Sequence, residues 1–144
     1  MALRLRYPAS RHRPEPPPDL TSRDERARLS GPGLAAFFNI MSRWKLRDED
    51  ARALLGGVTN GPFYEMKRAP DKLLDSDRLT RISYLIGIFK ALRILHADSL
   101  ADEWVQLPNQ NPIFDGQTPL AYMIRGGLPA MQTVRRLVDA RRAG

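Results

Sequence analysis

The chain has 144 residues, 42% apolar and 27% charged, with a formal charge of +7. That length suits one compact domain or two small ones sharing a core, and the balance of residues excludes wholesale disorder. Cysteine is absent, which excludes disulfides, thiolate metal sites and cysteine nucleophiles and fits a reducing cytoplasm.

Residues 1–20 carry Arg4, Arg6, Arg11 and Arg13 and the run Pro14, Pro16, Pro17, Pro18. Proline removes backbone donors and helical continuity, so this stretch is expected to be a disordered, extended arm, either a plain solvated leader or one that touches DNA phosphates. It lacks the continuous apolar core of a secretory signal, and the longest apolar run in the central helix, Ile82 to Phe89, falls well short of the roughly 18 residues of a membrane span. A cytoplasmic protein with no membrane partner is expected. The positive excess is not confined to the arm: residues 1–32 hold seven Arg against four acids, and 33–144 sixteen Lys or Arg against twelve. Such a balance directs attention to nucleic acid.

A short charged helix is predicted over Ser22 to Leu29, broken by Ser30, Gly31, Pro32 and Gly33. A second helix follows with Leu34, Phe37, Phe38, Met41 and Trp44 on one apolar stripe, which places Trp44 in the core. Arg47 to Leu55 form another, with Asp48, Glu49 and Asp50 in its first turn, where they suit the positive helix end, and Gly56 and Gly57 beyond its last. The next begins at Asn60 to Pro62, capped by Thr59 or Asn60. Two helices joined by the short glycine-bearing segment Gly56 to Asn60 are what a helix-turn-helix needs; the same arrangement also serves as plain packing.

The longest helix is predicted from Ser76 to Leu95, apolar on more than one side, so that the second half of the chain or another subunit must cover it. His96 at its negative end suits a local electrostatic role. Ser99 with Asp102 resembles a capping box opening a helix from Asp98 to about Gln106, with Trp104 in the core. Leu107 to Gln117 reads as a loop in which Ile113 and Phe114 are either pinned to the core or prepared for a partner. Thr118 and Pro119 open a helix ending at Gly126 and Gly127, and the last, about Pro129 to Arg142, points Met131, Val134, Leu137 and Val138 inward and Arg135, Arg136, Arg141 and Arg142 to its basic side.

From Leu29 onward the sequence resembles the MbcA/ParS/Xre antitoxin family. The second half carries Trp104, Pro108, Asn109, Pro112, Phe114, Gly116, Thr118, Pro119, Leu120, Gly127, Val134 and Leu137, similar to that family's toxin-binding domain. The first half, with Phe37, Trp44, Leu46, Leu54, Leu55, Gly56, Tyr64, Ile82, Ser83, Tyr84, Gly87 and Lys90, is similar to its Xre-like helix-turn-helix, although Met66 stands where such recognition helices frequently have tryptophan. The resemblance implies an all-α fold, a type II toxin–antitoxin operon that the chain represses, and often a RES-domain toxin that consumes NAD. With the Pro/Arg-rich arm (1–20), which has no counterpart in that family, the chain divides into the arm, a helix-turn-helix domain (21–95) and a toxin-binding domain (96–144).

On this reading Thr59, Asn60 and Tyr64 face base edges or nearby phosphates, and Lys67, Arg68 and Lys72 neutralise the DNA backbone. The toxin meets the loop around Asn109, with Ile113, Phe114 and Leu120 as apolar anchors. Arg141 and Arg142 either enter a pocket built for an anionic dinucleotide or are ordinary cations at a helix end. Half-site recognition implies a homodimer, for which the fourth helix is a candidate surface. The alternative is a stand-alone helix-turn-helix regulator whose C-terminal half only dimerises. An enzyme is disfavoured, since no metal spacing, phosphate-cradling glycine loop or nucleophile and base pairing occurs, and neither cofactor nor metal is expected.

Overall fold

The computed structural model describes residues 17–143; Arg4, Arg6, Arg11 and Arg13 of the arm, and His12, lie outside them. The described residues form seven α-helices and no strand: α1 Arg23–Arg43, α2 Asp48–Leu54, α3 Asn60–Arg68, α4 Ser76–Leu95, α5 Asp98–Glu103, α6 Pro119–Gly126 and α7 Leu128–Ala143. Short 3-10 turns cover Trp104–Gln106 and Pro112–Phe114. The fold is all-α.

The expected break at residues 30–33 is absent, and α1 runs through Pro32. Proline removes a single helical hydrogen bond, and contacts remote in sequence offset that loss. The buried Ser30 hydroxyl donates to the Arg26 carbonyl at 2.6 Å and accepts the Leu74 N–H at 2.9 Å, fastening the α3–α4 connection to α1. Beside it, a Cβ on Gly33 would lie 3.7 Å from both Ile82 and Leu79, so the small residues bring α4 close instead of ending the helix. Upstream, Ser22 accepts the Glu25 N–H as N-cap. Downstream, Lys45 N–H donates to the Ser42 carbonyl and Leu46 N–H to that of Met41, the Schellman pattern, with Lys45 at φ 55°.

α4 is the axis of the molecule. α1 packs on one side and α7 on another, burying Leu79, Ile82, Leu85, Ile88, Ala91 and Leu92. One hydrophobic cluster runs from Leu34 through Trp44, Phe63 and Trp104 to Val138, so the two halves of the chain share a core. The second apolar side of α4 is therefore covered by this chain's own α7.

The capping box at Ser99 and Asp102 does not form: Ala97 is the N-cap of α5, with no side-chain cap bond. Asp102 instead accepts two hydrogen bonds from Arg93 Nη2, at 3.0 and 2.8 Å, while the Arg93 guanidinium lies 4.7 Å over the Phe89 ring. A half-buried arginine that gives one nitrogen to both carboxylate oxygens holds Asp102 better than a solvent-exposed helix start does. No described helix is long and apolar enough to cross a membrane.

Candidate partner-binding surfaces

The turn between α2 and α3 is made by Gly56 and Gly57, at φ 95° and 86°. Val58, Phe63 and Met66 are buried and root α3 in the core, with Phe63 set edge-on to Phe38 at 5.5 Å. Met66 is thus a core residue. Burial of that face leaves Asn60, Tyr64, Lys67 and Arg68 exposed around the rest of the helix and Thr59 exposed at its start. Thr59 holds the N-cap position with no side-chain bond to the helix, so its hydroxyl is not spent on capping. Lys72, beyond the helix, lines a surface groove of about 420 Å³ with Thr59, Pro62 and Arg78. Of the six expected DNA-contacting residues the structure places Thr59 and Lys72 in this groove, together with Arg78, which the sequence did not single out, while Tyr64 and Lys67 turn to Asp48 of α2.

The electrostatics of that region are balanced. Between residues 47 and 72, Arg47, Arg52, Lys67, Arg68 and Lys72 stand against Asp48, Glu49, Asp50, Glu65 and Asp71. Asp48 draws in two of the expected contacts: Tyr64 donates to it at 3.3 Å and Lys67 at 3.1 Å. Arg68 donates to both oxygens of Glu65 at 2.9 and 2.8 Å. Asp50, and then Glu49, hold the Arg47 guanidinium above its ordinary pKa. Exposed pairs of this kind contribute only about 0–1 kcal/mol each, so a phosphate can take over either cation. Among the described residues Lys72 has no ion-pair partner.

The second surface is the loop before α6, which is braced from within. Asn109 N–H donates to the Gln117 carbonyl, the Asn109 side-chain oxygen accepts the Asn111 N–H at 2.9 Å, and that of Asn111 accepts the Ile113 N–H at 3.1 Å. Asp115 reverses the chain at φ 49°. Phe114 is 1% exposed, edge-on to Trp104 at 6.1 Å and to Tyr122 at 5.3 Å, and Leu120 is also buried. Both are core residues and not the apolar anchors expected for a partner, because their side chains are already consumed in packing α6 against the Trp104 turn. Ile113 is 40% exposed and faces outward; so does Leu107 at the start of the loop, which the sequence did not single out because nothing in its spacing separates it from a buried leucine. Asn109 is half-buried and occupied in shaping the loop.

Arg141 and Arg142 are exposed in the last turn of α7. Arg135, expected on the basic side, folds inward instead: it pairs with Asp139 at 3.2 Å and donates to the Ser83 carbonyl of α4 at 3.2 Å. Among the described residues no three His, Asp or Glu side chains gather as a metal site would require.

The sequence is 38% identical over 112 residues to the uncharacterized protein y4oB of Sinorhizobium fredii (strain NBRC 101917 / NGR234), an alignment spanning 77% of this chain and 84% of that protein. The chain belongs to the y4oB family. No family model and no solved structure matches it.

Proposed function

We propose that this protein is a cytoplasmic antitoxin of a type II toxin–antitoxin system, which binds its toxin through the C-terminal half and represses its operon through α2 and α3. The observation that carries the reading is the division of α3: Phe63 and Met66 root it in the core while Asn60 and Tyr64 are exposed away from it, with Thr59 exposed at its N-cap. A helix so presented after a glycine turn has the form needed to enter a major groove. The toxin half of the reading is supported by the pre-shaped loop that exposes Ile113, since a contact already held in place loses little entropy on binding. The resemblance adds the class of toxin, a RES-domain enzyme consuming NAD. Arg141 and Arg142 are offered as the cations that approach its anionic pocket, and a homodimer as the DNA-binding unit, formed away from the Leu85 and Ile88 faces of α4 that lie in the core.

Titrating purified protein onto its own promoter at several salt concentrations tests the DNA half. Three released cations give a slope of log affinity against log salt of about −2.7 per protomer. A flat profile would reject the assignment.

A stand-alone regulator is the second reading. The shared core favours it: α7 is an integral packing partner of α4, so the C-terminal half has a structural task whether or not a toxin exists. Isolation of the chain with no companion protein, together with promoter binding, would select it.

A further inference from the structure

Arg81 leaves α4 between the α2–α3 turn and the α6–α7 turn. Its side chain is 15% exposed, and its Nε is held by Asp77 at 2.9 Å, one turn earlier. The guanidinium lies between two turns from different halves of the chain. A Cβ on Gly56, in the α2–α3 turn, would stand 3.2 Å from Arg81 Nε and 3.3 Å from Cζ, and 3.5 Å from the Asp77 carboxylate. On its other side, a Cβ on Gly127, between α6 and α7, would stand 3.8 Å from Arg81 Nη2. Both glycines have positive φ, 95° and 66°, so each turn is a tight reversal whose shape fixes the helix that follows it: α3 after one, α7 after the other. α2 also meets α6 directly.

We propose that Arg81 is a mechanical coupler: its guanidinium, clamped by Asp77, carries displacements of the α6–α7 turn to the α2–α3 turn, so that a partner seated on the C-terminal half alters the pose of α3. On the Gly56 side the planar group leaves no room for a further atom, and on the Gly127 side it leaves room for one at ordinary contact distance, so a group displaced or added at Gly127 reaches the guanidinium, whose pair with Asp77 limits how far it swings away. That this coupling regulates operator binding rests on the function proposed above; the coupling itself is a property of the free chain.

Amide hydrogen exchange on the full chain tests it without toxin or DNA. The Gly56, Gly57 and Val58 N–H groups are bonded to Ala53 and Arg52 carbonyls, and their protection reports the α2–α3 turn. Gly127→Ala strains the distant turn and is expected to speed exchange at these three amides by about threefold or more, an effect that falls to near unity in an Arg81→Ala background. Arg81→Lys, which keeps the charge beside Asp77 but not the flat fork, is expected to weaken the transmission as well, and serves if Gly127→Ala in the alanine background does not fold. Equal acceleration with and without the guanidinium, or none in either, would overturn the proposal. Either result leaves open whether the protein binds DNA, which the promoter titration measures separately.

Discussion

The guanidinium of Arg135 lies directly over Gly87, so that a methyl group added to the glycine would overlap it. α7 docks on α4 through this crossing, and Arg135 completes it with hydrogen bonds to the Ser83 carbonyl and to Asp139. Two opposing effects meet at position 87. Alanine in a helix interior is favoured over glycine by about 1 kcal/mol, whereas displacing Arg135 gives up bonds of about 0.5–1.5 kcal/mol each. Because the obstacle is the far end of a flexible side chain, Gly87→Ala is expected to leave stability nearly unchanged in the natural chain and to raise it by about 1 kcal/mol in an Arg135→Ala background. Urea unfolding of the four proteins in this cycle reads the difference, and equal effects in both backgrounds would contradict the crossing.

Ser30 joins two segments through one hydroxyl, and Leu74, whose N–H it accepts, is buried. Ser30→Ala leaves that donor without a partner. A loss of about 1–3 kcal/mol is expected in chemical unfolding, against under about 0.5 kcal/mol for Ser42→Ala on the exposed side of the same helix. A neutral Ser30→Ala would mean that α1 continues through Pro32 for some other reason.

Lys45 occupies the left-handed position that closes α1, where its side chain is exposed. A non-glycine residue there carries a steric cost of about 1–2 kcal/mol, partly cancelled by glycine's greater freedom in the unfolded chain. Lys45→Gly is therefore expected to stabilise the protein by about 0.5–1 kcal/mol, seen as a higher urea midpoint at unchanged slope. Destabilisation would show that the lysine makes a contact its exposure does not suggest.

Neighbouring residues in the C-terminal loop should behave oppositely. Phe114→Ala empties a site between Trp104 and Tyr122 and is expected to cost about 3–5 kcal/mol, while Ile113→Ala changes stability by no more than about 0.5 kcal/mol. Thermal unfolding distinguishes them. Ile113→Asp is then the variant for testing partner contact, since loss of binding by Phe114→Ala would report only unfolding.

Asp48 sits among the expected DNA contacts and repels phosphate while occupying Lys67. Asp48→Asn keeps a hydrogen-bond acceptor for Tyr64 and frees the lysine, and is expected to tighten operator binding by about threefold to tenfold at moderate salt. Lys72→Ala should loosen it and reduce the salt slope by about 0.9. Fluorescence anisotropy measures both; no response to either substitution would remove this face from the DNA interface.

The sequence revealed most where local and global forces agree. α4 was legible from Ser76 to Leu95 because its apolar positions recur over a long stretch; the structure adds Asp75 as its N-cap. α3 was legible from its glycine turn and Pro62. Pro32 misled because a bond between Ser30 and Leu74, 44 residues apart, leaves no trace in local pattern. Asp102 misled similarly, its partner Arg93 lying on the preceding helix. Phe114 stands among prolines and asparagines that mark exposed loop, and only the rings of Trp104 and Tyr122 decide that it is core. Arg81 gave no warning at all: its spacing from Asp77 is that of an ordinary surface pair, and the two glycines that flank it come from remote turns.

Co-expression with the protein encoded beside it tests the central claim most directly. If the chain is an antitoxin, that neighbour arrests growth when expressed alone, the arrest is relieved by this chain, and the two co-purify; Ile113→Asp weakens both the rescue and the complex while the fold stays intact. A neighbour that is harmless on its own and forms no complex with the purified chain would contradict the account.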